Sequence, residues 1–245
     1  MALQTYKKDY IINLKINVRY LYYVLMDYFP SGRNYGLLWH GRGSRVELRL
    51  EQISKITHDV VLNRIKSKIQ NEGIEYPILT ISQLIDEENG VSDYEISSVF
   101  VDPKKVGNLN LVKEHSVVIG LTSFHRAVVL EKQHVGKIIT SNFVSIEFRD
   151  GIMDPYYFAW YFNEHPEIEK QRLIAIQGNS SVKVLSIHMI RRLSIVCPDL
   201  STQMAIGKLY YYQNRKQLLL MEKLRLEKAV RSEEIMQRLK MLEDD

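Results

Sequence analysis

The sequence has a single cysteine, Cys197. That excludes an intrachain disulfide and any metal site built from several thiolates. Cys197 ends an apolar stretch and reads as a packing residue, not as an activated nucleophile. No run of about 18 apolar residues is present, so no segment reads as a membrane-spanning helix. The N-terminus, with Lys7, Lys8 and Asp9 ahead of a mixed segment, lacks a signal-peptide layout, and the expected location is the cytoplasm.

Catalytic signatures are missing as well. No glycine-rich loop ends in Lys-Ser or Lys-Thr, and the seven histidines are scattered without zinc-ligand spacing. An adenine methyltransferase needs a cofactor-binding glycine motif after a strand and an Asn-Pro-Pro-Tyr type loop for the flipped base. The nearest string, Asp154-Pro155-Tyr156-Tyr157, lacks the second proline and reads as the start of a helix. Asp102-Pro103-Lys104 has the spacing of a magnesium nuclease pair, but a three-residue match is common by chance. No cofactor and no metal are expected.

What is present is an ordinary globular composition, 45% hydrophobic and 25% charged, with a net charge of +4. Its distribution is uneven: Leu84 to Asp102 holds six acids and no Lys or Arg, and Lys170 to Arg192 holds five bases and no acid. Segregation of this kind leads us to expect one basic face.

The pattern from Val46 is mixed α and β. Val46, Leu48 and Leu50 alternate, Pro77 to Ile81 reads as a strand, and Ser116 to Thr122 reads as a buried one. Strands are also expected at Arg126 to Leu130, at Lys137 to Phe148 after a turn at Gly136, and along an alternating run from Val182 to Val196. Pro155 opens a helix rich in aromatics that stops near Pro166, and so many rings on one short helix mean burial. From Ser201 to Leu242 there is no proline and Gly207 is the only glycine, so this stretch reads as one helix. At about 1.5 Å per residue it is a rod of roughly 60 Å. Ile206, Leu209, Leu220 and Leu224 follow a seven-residue rhythm that Gln213 interrupts, which marks a face for a partner helix. Its bases outnumber its acids by nine to four from Ser201 to Met241, which suits a position near phosphate.

Four polar groups stand out as candidate DNA contacts. The first is Asn63, Arg64 and Lys66; the second is Thr122, Ser123, His125 and Arg126; the third is Thr140 and Asn142; the fourth is Gln177, Asn179, Ser180, Ser181 and Lys183. Arg and Lys suit phosphates and guanine edges, and Asn or Gln suits adenine edges. Each group alone also suits a turn or a strand end.

In order and spacing these features resemble one half of the specificity subunit of type I restriction-modification systems. The resemblance rests on Val46-x-Leu48-x-Leu50-x-x-Ile53-x-x-Ile56, Glu75-Tyr76-Pro77-Ile78-Leu79, Val117 to Leu121 and Gly136-Lys137-Ile138-Ile139-Thr140-Ser141-Asn142. It continues in the aromatic helix after Pro155, in Gly178-x-Ser180 ahead of Leu185, Ile190, Leu193, Ile195 and Pro198, and in Leu200-x-x-Gln203-x-x-Ile206. It implies an α+β fold: a mixed α/β target recognition domain at residues 44–199, followed by a long helix at 200–245 that pairs in a coiled coil. It further implies a non-catalytic subunit that reads half of a split double-stranded DNA target and docks modification (methyltransferase) subunits, with a restriction subunit in the full complex. Such proteins mostly carry two domains and two helices, and one clear copy is present here. Pairing as a homodimer, pairing with another specificity chain, and a remnant all remain open. Residues 1–43, with Gly41-Arg42-Gly43-Ser44 echoing Gly178 to Ser181, resemble the tail of a preceding domain. The alternatives are a small DNA-modifying enzyme, a methyltransferase or nuclease, and a structural helical assembly protein.

Overall fold

The computed structural model describes residues 46–58, 61–67, 73–91, 94–122, 124–177 and 184–243. The chain divides into two compact units, Met1–Ser44 and Arg45–Asp245, and all the described residues belong to the second. The echo expected within residues 1–43 lies outside the described residues.

Strand β1 (Val46–Arg49) pairs antiparallel with β10 (Ser194–Cys197), Val46 opposite Cys197, so the two ends of the domain meet just before the long helix. Leu50, read from its alternation as part of the first strand, instead begins a single helical turn, α1 (Leu50–Ile53). The turn buries both Leu50 and Ile53. Strand β2 (Ser54–His58) follows and joins a four-stranded antiparallel sheet ordered β2-β7-β5-β6, with β5 at Val117–Gly120, β6 at Ala127–Val129 and β7 at Phe143–Phe148. Every residue of β5 is buried, so both faces are covered and the strand reads as an unbroken apolar run.

One face of the sheet, through Val117, Ile119, Val144 and Ile146, packs on the aromatic helix α4 (Pro155–Glu164). The other, through Val118 and Phe143, packs on Leu79 and Leu84. Leu84 belongs to α3 (Ile81–Glu88), which takes up only the last residue, Ile81, of the strand expected at Pro77 to Ile81. The strand β3 (Ile74–Pro77) is shorter and pairs with β4 (Ser98–Val101). The chain turns into helix because the Thr80 hydroxyl accepts from the Gln83 amide at 3.1 Å, an N-cap that outweighs the strand-like spacing of Ile78, Leu79 and Ile81. Between β4 and β5 a 3₁₀ helix spans Pro103–Asn108; the Asp102 carboxylate caps it, accepting from Lys104 N at 3.0 Å. In α4, Pro155 stands at the first turn, and Asp154 Oδ1 accepts from Tyr157 N at 2.8 Å. Pro166 then opens α5 (Pro166–Ala175).

The expected alternating strand up to Val196 is broken up. β8 (Ile176–Gln177) pairs with β9 (Val184–Leu185), and a helical turn, α6 (Ile187–Arg191), comes before β10. This turn buries Ile190, and Leu193 follows it into the core, a spacing of three that alternation cannot supply.

The last helix, α7, runs without a break from Leu200 to Glu243. Asp199 caps it, accepting from Thr202 N at 3.0 Å. The Gln203 side chain is buried and fully used: its amide donates to Ile152 O at 3.1 Å and Pro198 O at 2.9 Å, and its oxygen accepts from Asp154 N at 3.0 Å. The first turns of α7 are thereby fixed to the loop that starts α4. Among the described residues no helix is long and apolar enough to cross a membrane.

Candidate nucleic-acid interface

Register places the polar groups at one end of the four-stranded sheet. His58 at the exit of β2 faces Val144, and Gly120 at the exit of β5 faces Phe143 at the entry of β7. The exit of β2, the β5–β6 loop and the turn before β7 therefore share an end. They are also bonded to each other: Leu121 N donates to Asn142 O, and Leu185 N of the β8–β9 hairpin donates to Leu121 O, both at 2.8 Å. Three of the four polar groups thus grow from adjoining backbone. Ser123 and 178–183, which include Asn179, Ser180, Ser181 and Lys183, lie outside the described residues; the backbone of Gln177 pairs with Val184.

The β5–β6 loop is folded back tightly. A Cβ on Gly120 would lie 1.9 Å from the Phe124 carbonyl oxygen, so only glycine allows the return. Phe124 fills the core below it. Above it, Arg126 is held from several sides. Its carbonyl accepts from Gly120 N at 3.2 Å. The next residue, Ala127, exchanges two 2.9 Å bonds with the Asn163 side chain, which also donates to the Tyr210 hydroxyl of α7 at 2.9 Å. The carbonyl of His125 accepts from Arg172 Nη1 at 3.3 Å, and that guanidinium lies over the Phe162 ring and donates to Phe162 O. Finally, Arg126 Nε pairs with Glu88 Oε1, the last residue of α3, at 2.9 Å.

The other groups are placed unevenly. Asn142 is exposed, and Thr122 and His125 are partly exposed. Thr140 is 4% exposed and its hydroxyl has no partner among the described residues, so it drops out of the surface set. It ends a run, Lys137 to Thr140, in which every residue is buried. Asn63, Arg64 and Lys66 are exposed in and after the helical turn α2 (Leu62–Ile65), which lies beyond the exit of β2. The fold brings two more bases to them: Lys105 Nζ donates to Arg64 O at 2.7 Å, and Lys104 is exposed beside it. The sequence placed Lys104 only in a nuclease-like triplet whose Asp102 is engaged as a helix cap. The pairing of Lys66 with Val101, next to that triplet, is what unites the two segments.

The basic run from Lys170 to Arg192 does not form one open face. Lys170 pairs with Glu167 at 2.9 Å, Arg172 holds His125 and Phe162, and Arg191 Nη2 donates to Ile56 O at 3.2 Å. Arg172 and Arg191 thus brace the fold, while the Lys170 pair is exposed and local. The acidic stretch is likewise put to internal use. Glu87 receives His134 Nε2 at 3.0 Å and the Tyr94 hydroxyl. On the ring's far side, Nδ1 lies 3.4 Å from Gln83 Nε2 and 3.4 Å from Lys137 Nζ. Burial alone would raise the Glu87 carboxyl, but the bonds from His134 and Tyr94 hold it below its usual value; burial lowers Lys137. This network braces α3 under Glu88.

Along α7, Ile206 packs on the domain's own core and Leu209 is half-buried, whereas Gln213, Leu220 and Leu224 are exposed. The seven-residue rhythm therefore joins two environments: its first members are taken up by α4 and its core, and only the later ones are open to a partner.

No protein family model matches the chain, and no curated protein matches it. Solved structures do. The S subunit of a type I restriction-modification system from M. genitalium aligns with TM-score 0.51 at 8% identity, over 79% of this chain and 45% of that one. A chain from a structure of complex assembly and conformational transition of the type I R-M system aligns with TM-score 0.51 at 14% identity, over 86% and 47%. The HsdS subunit of Thermoanaerobacter tengcongensis aligns with TM-score 0.48 at 16% identity, over 77% and 44%. The chain thus spans less than half the length of these proteins. With its mixed α/β domain and long C-terminal helix, it shares the fold of type I restriction-modification specificity subunits.

Proposed function

We propose that the chain is a non-catalytic DNA sequence-recognition subunit that works in a cytoplasmic type I restriction-modification complex. It reads one half of a bipartite duplex target and docks modification subunits, and α7 sets the distance to the other half by pairing with a second copy or another specificity chain. The observation that carries this reading is the convergence of the Thr122–Arg126 loop, the Asn142 turn and the β8–β9 hairpin at one end of a rigid sheet. Amide, hydroxyl and guanidinium groups on a fixed platform are what base-edge readout needs. Arg64, Lys66, Lys104 and Lys105 supply a basic margin for phosphates.

The test is co-expression with the modification subunits of a type I system, mass determination of the complex, and selection from random duplexes. Selection of a gapped site by a complex holding this chain supports the reading. A chain that stays alone and binds all duplexes equally, or none, removes it.

A further inference from the structure

We propose that Glu88 is a specificity-determining residue: it holds Arg126 by Nε so that the terminal guanidinium nitrogens face a base edge and not a backbone phosphate. This rests on the DNA-recognition reading above.

The pair is geometrically defined and accessible. Arg126 Nε lies 2.9 Å from Glu88 Oε1, with side chains 43% and 44% exposed. No other hydrogen bond to the guanidinium is found among the described residues; the Glu164 carboxylate and the Arg172 guanidinium lie near enough to feel its charge, and Nη1 and Nη2 are the donors it can offer to a base. That fork is the group that matches guanine O6 and N7. A fork on a free arginine is equally good for phosphate, which every duplex offers. Fixing Nε removes the swivel that would let it choose.

Both ends of the tether stand on braced backbone. The Arg126 backbone is tied through Gly120, and its neighbours through Asn163 and Arg172. Glu88 ends α3, which is capped by Thr80 and braced one residue earlier by the His134 contact to Glu87. Just past it, a Cβ on Gly90, in a left-handed conformation (φ 72°), would lie 3.3 Å from the Met221 Cβ of α7. The carboxylate therefore stands on a post fixed to both the sheet and the long helix. It has a second effect: a negative charge at the margin of the site repels phosphate, so it weakens binding to duplexes in which Arg126 finds no matching base.

The experiment selects bound duplexes from a random library with the full chain in complex with modification subunits, and measures affinity for the selected site and for random duplex. Wild type, Arg126→Ala and Glu88→Gln are compared. Arg126→Ala is expected to lose a guanine preference at one position. Glu88→Gln is expected to relax that same position while binding random duplex more tightly, so that the ratio of specific to random affinity falls about tenfold. Its thermal midpoint should match wild type, because an exposed pair contributes little to stability. A Glu88→Gln profile identical to wild type, or an Arg126→Ala profile with no altered position, overturns the inference while leaving DNA recognition intact. A wild-type complex that selects no sequence overturns the recognition reading itself.

Discussion

Gly207→Ala is a sharp test of how the long helix is seated. In an exposed helix interior the change from glycine to alanine stabilises by about 1 kcal/mol. Here that gain is expected to be cancelled or reversed. A Cβ at 207 would lie 2.2 Å from Asp154 Oδ1 and 2.9 Å from Tyr157 N, the acceptor and donor of the cap that starts α4. Either Asp154 leaves its cap, which costs about 1 kcal/mol, or α7 moves away from a packed surface, and forcing a methyl into such a site costs about 1–3 kcal/mol. After the propensity gain of about 1 kcal/mol, the net change should run from about 0 to a loss of about 2 kcal/mol. Urea unfolding followed by Trp fluorescence reads it, since Trp160 lies on α4, 5.6 Å from the Tyr157 ring. A double variant supplies the control. Asp154→Ala removes the nearest clashing atom, so Asp154→Ala with Gly207→Ala should cost less than the sum of the single changes. A Gly207→Ala protein about 1 kcal/mol more stable than wild type, or strictly additive single changes, would refute the close-approach reasoning.

Other expectations are as direct. Asn163→Ala leaves the Ala127 amide and carbonyl and the Tyr210 hydroxyl without their partner; a loss of about 2–3 kcal/mol is expected in thermal unfolding, against about 1 kcal/mol for Tyr210→Phe. Lys104→Ala and Lys105→Ala should weaken binding to all duplexes alike, each reducing the slope of log affinity against log salt by about 1, as filter binding over a salt series would show. Asp199→Ala should cost about 1 kcal/mol through the lost cap of α7. Hydrogen bonds from Ser201 and Thr202 hold the Asp199 carboxyl well below its ordinary value of 3.8, at about 2. Because the folded value is the lower one, its contribution is present above the ordinary value and lost as pH falls toward about 2. Thermal midpoints measured across that window should fall less steeply for the variant than for wild type.

The elements legible in the sequence are those set by local signals. Proline-free length gave α7, Pro155 and Pro166 bounded α4, and the unbroken Val117-Val118-Ile119 run gave β5. Where the reading failed, a cap or a distant contact decided. Thr80 with Gln83 three residues on is a capping pattern, and it could have revealed α3. Nothing local distinguishes Thr140 from Asn142, since their opposite exposure depends on how the turn meets β5. The basic run misled for a similar reason: a guanidinium that binds a carbonyl far along the chain looks, in one dimension, like one that awaits a phosphate. Lys104 and Lys105 join Arg64 only through the pairing of Lys66 with Val101.

These internal uses of polar residues explain how the loops are held in place. Asn163 binds both backbone groups of Ala127, Gln171 binds Ser194 through both its amide nitrogen (3.1 Å) and its oxygen (2.8 Å), and Gln203 ties three backbone sites together. Amide side chains used twice in this way satisfy backbone groups at strand ends and in loops that the ladders and helices leave over. The loop before Ala127 inherits that order, and so does the start of α7, because Asn163 bonds to both Ala127 and Tyr210. Beyond Met221 the helix is exposed through Leu242 and carries Leu224, Leu226, Val230 and Ile235 in the open. One end of α7 is thus built into the mixed α/β domain and the other carries exposed apolar residues. Changes near Gly207 should therefore move the domain relative to the helix, while changes at Leu224 or Val230 should act on pairing and leave the domain's fold untouched.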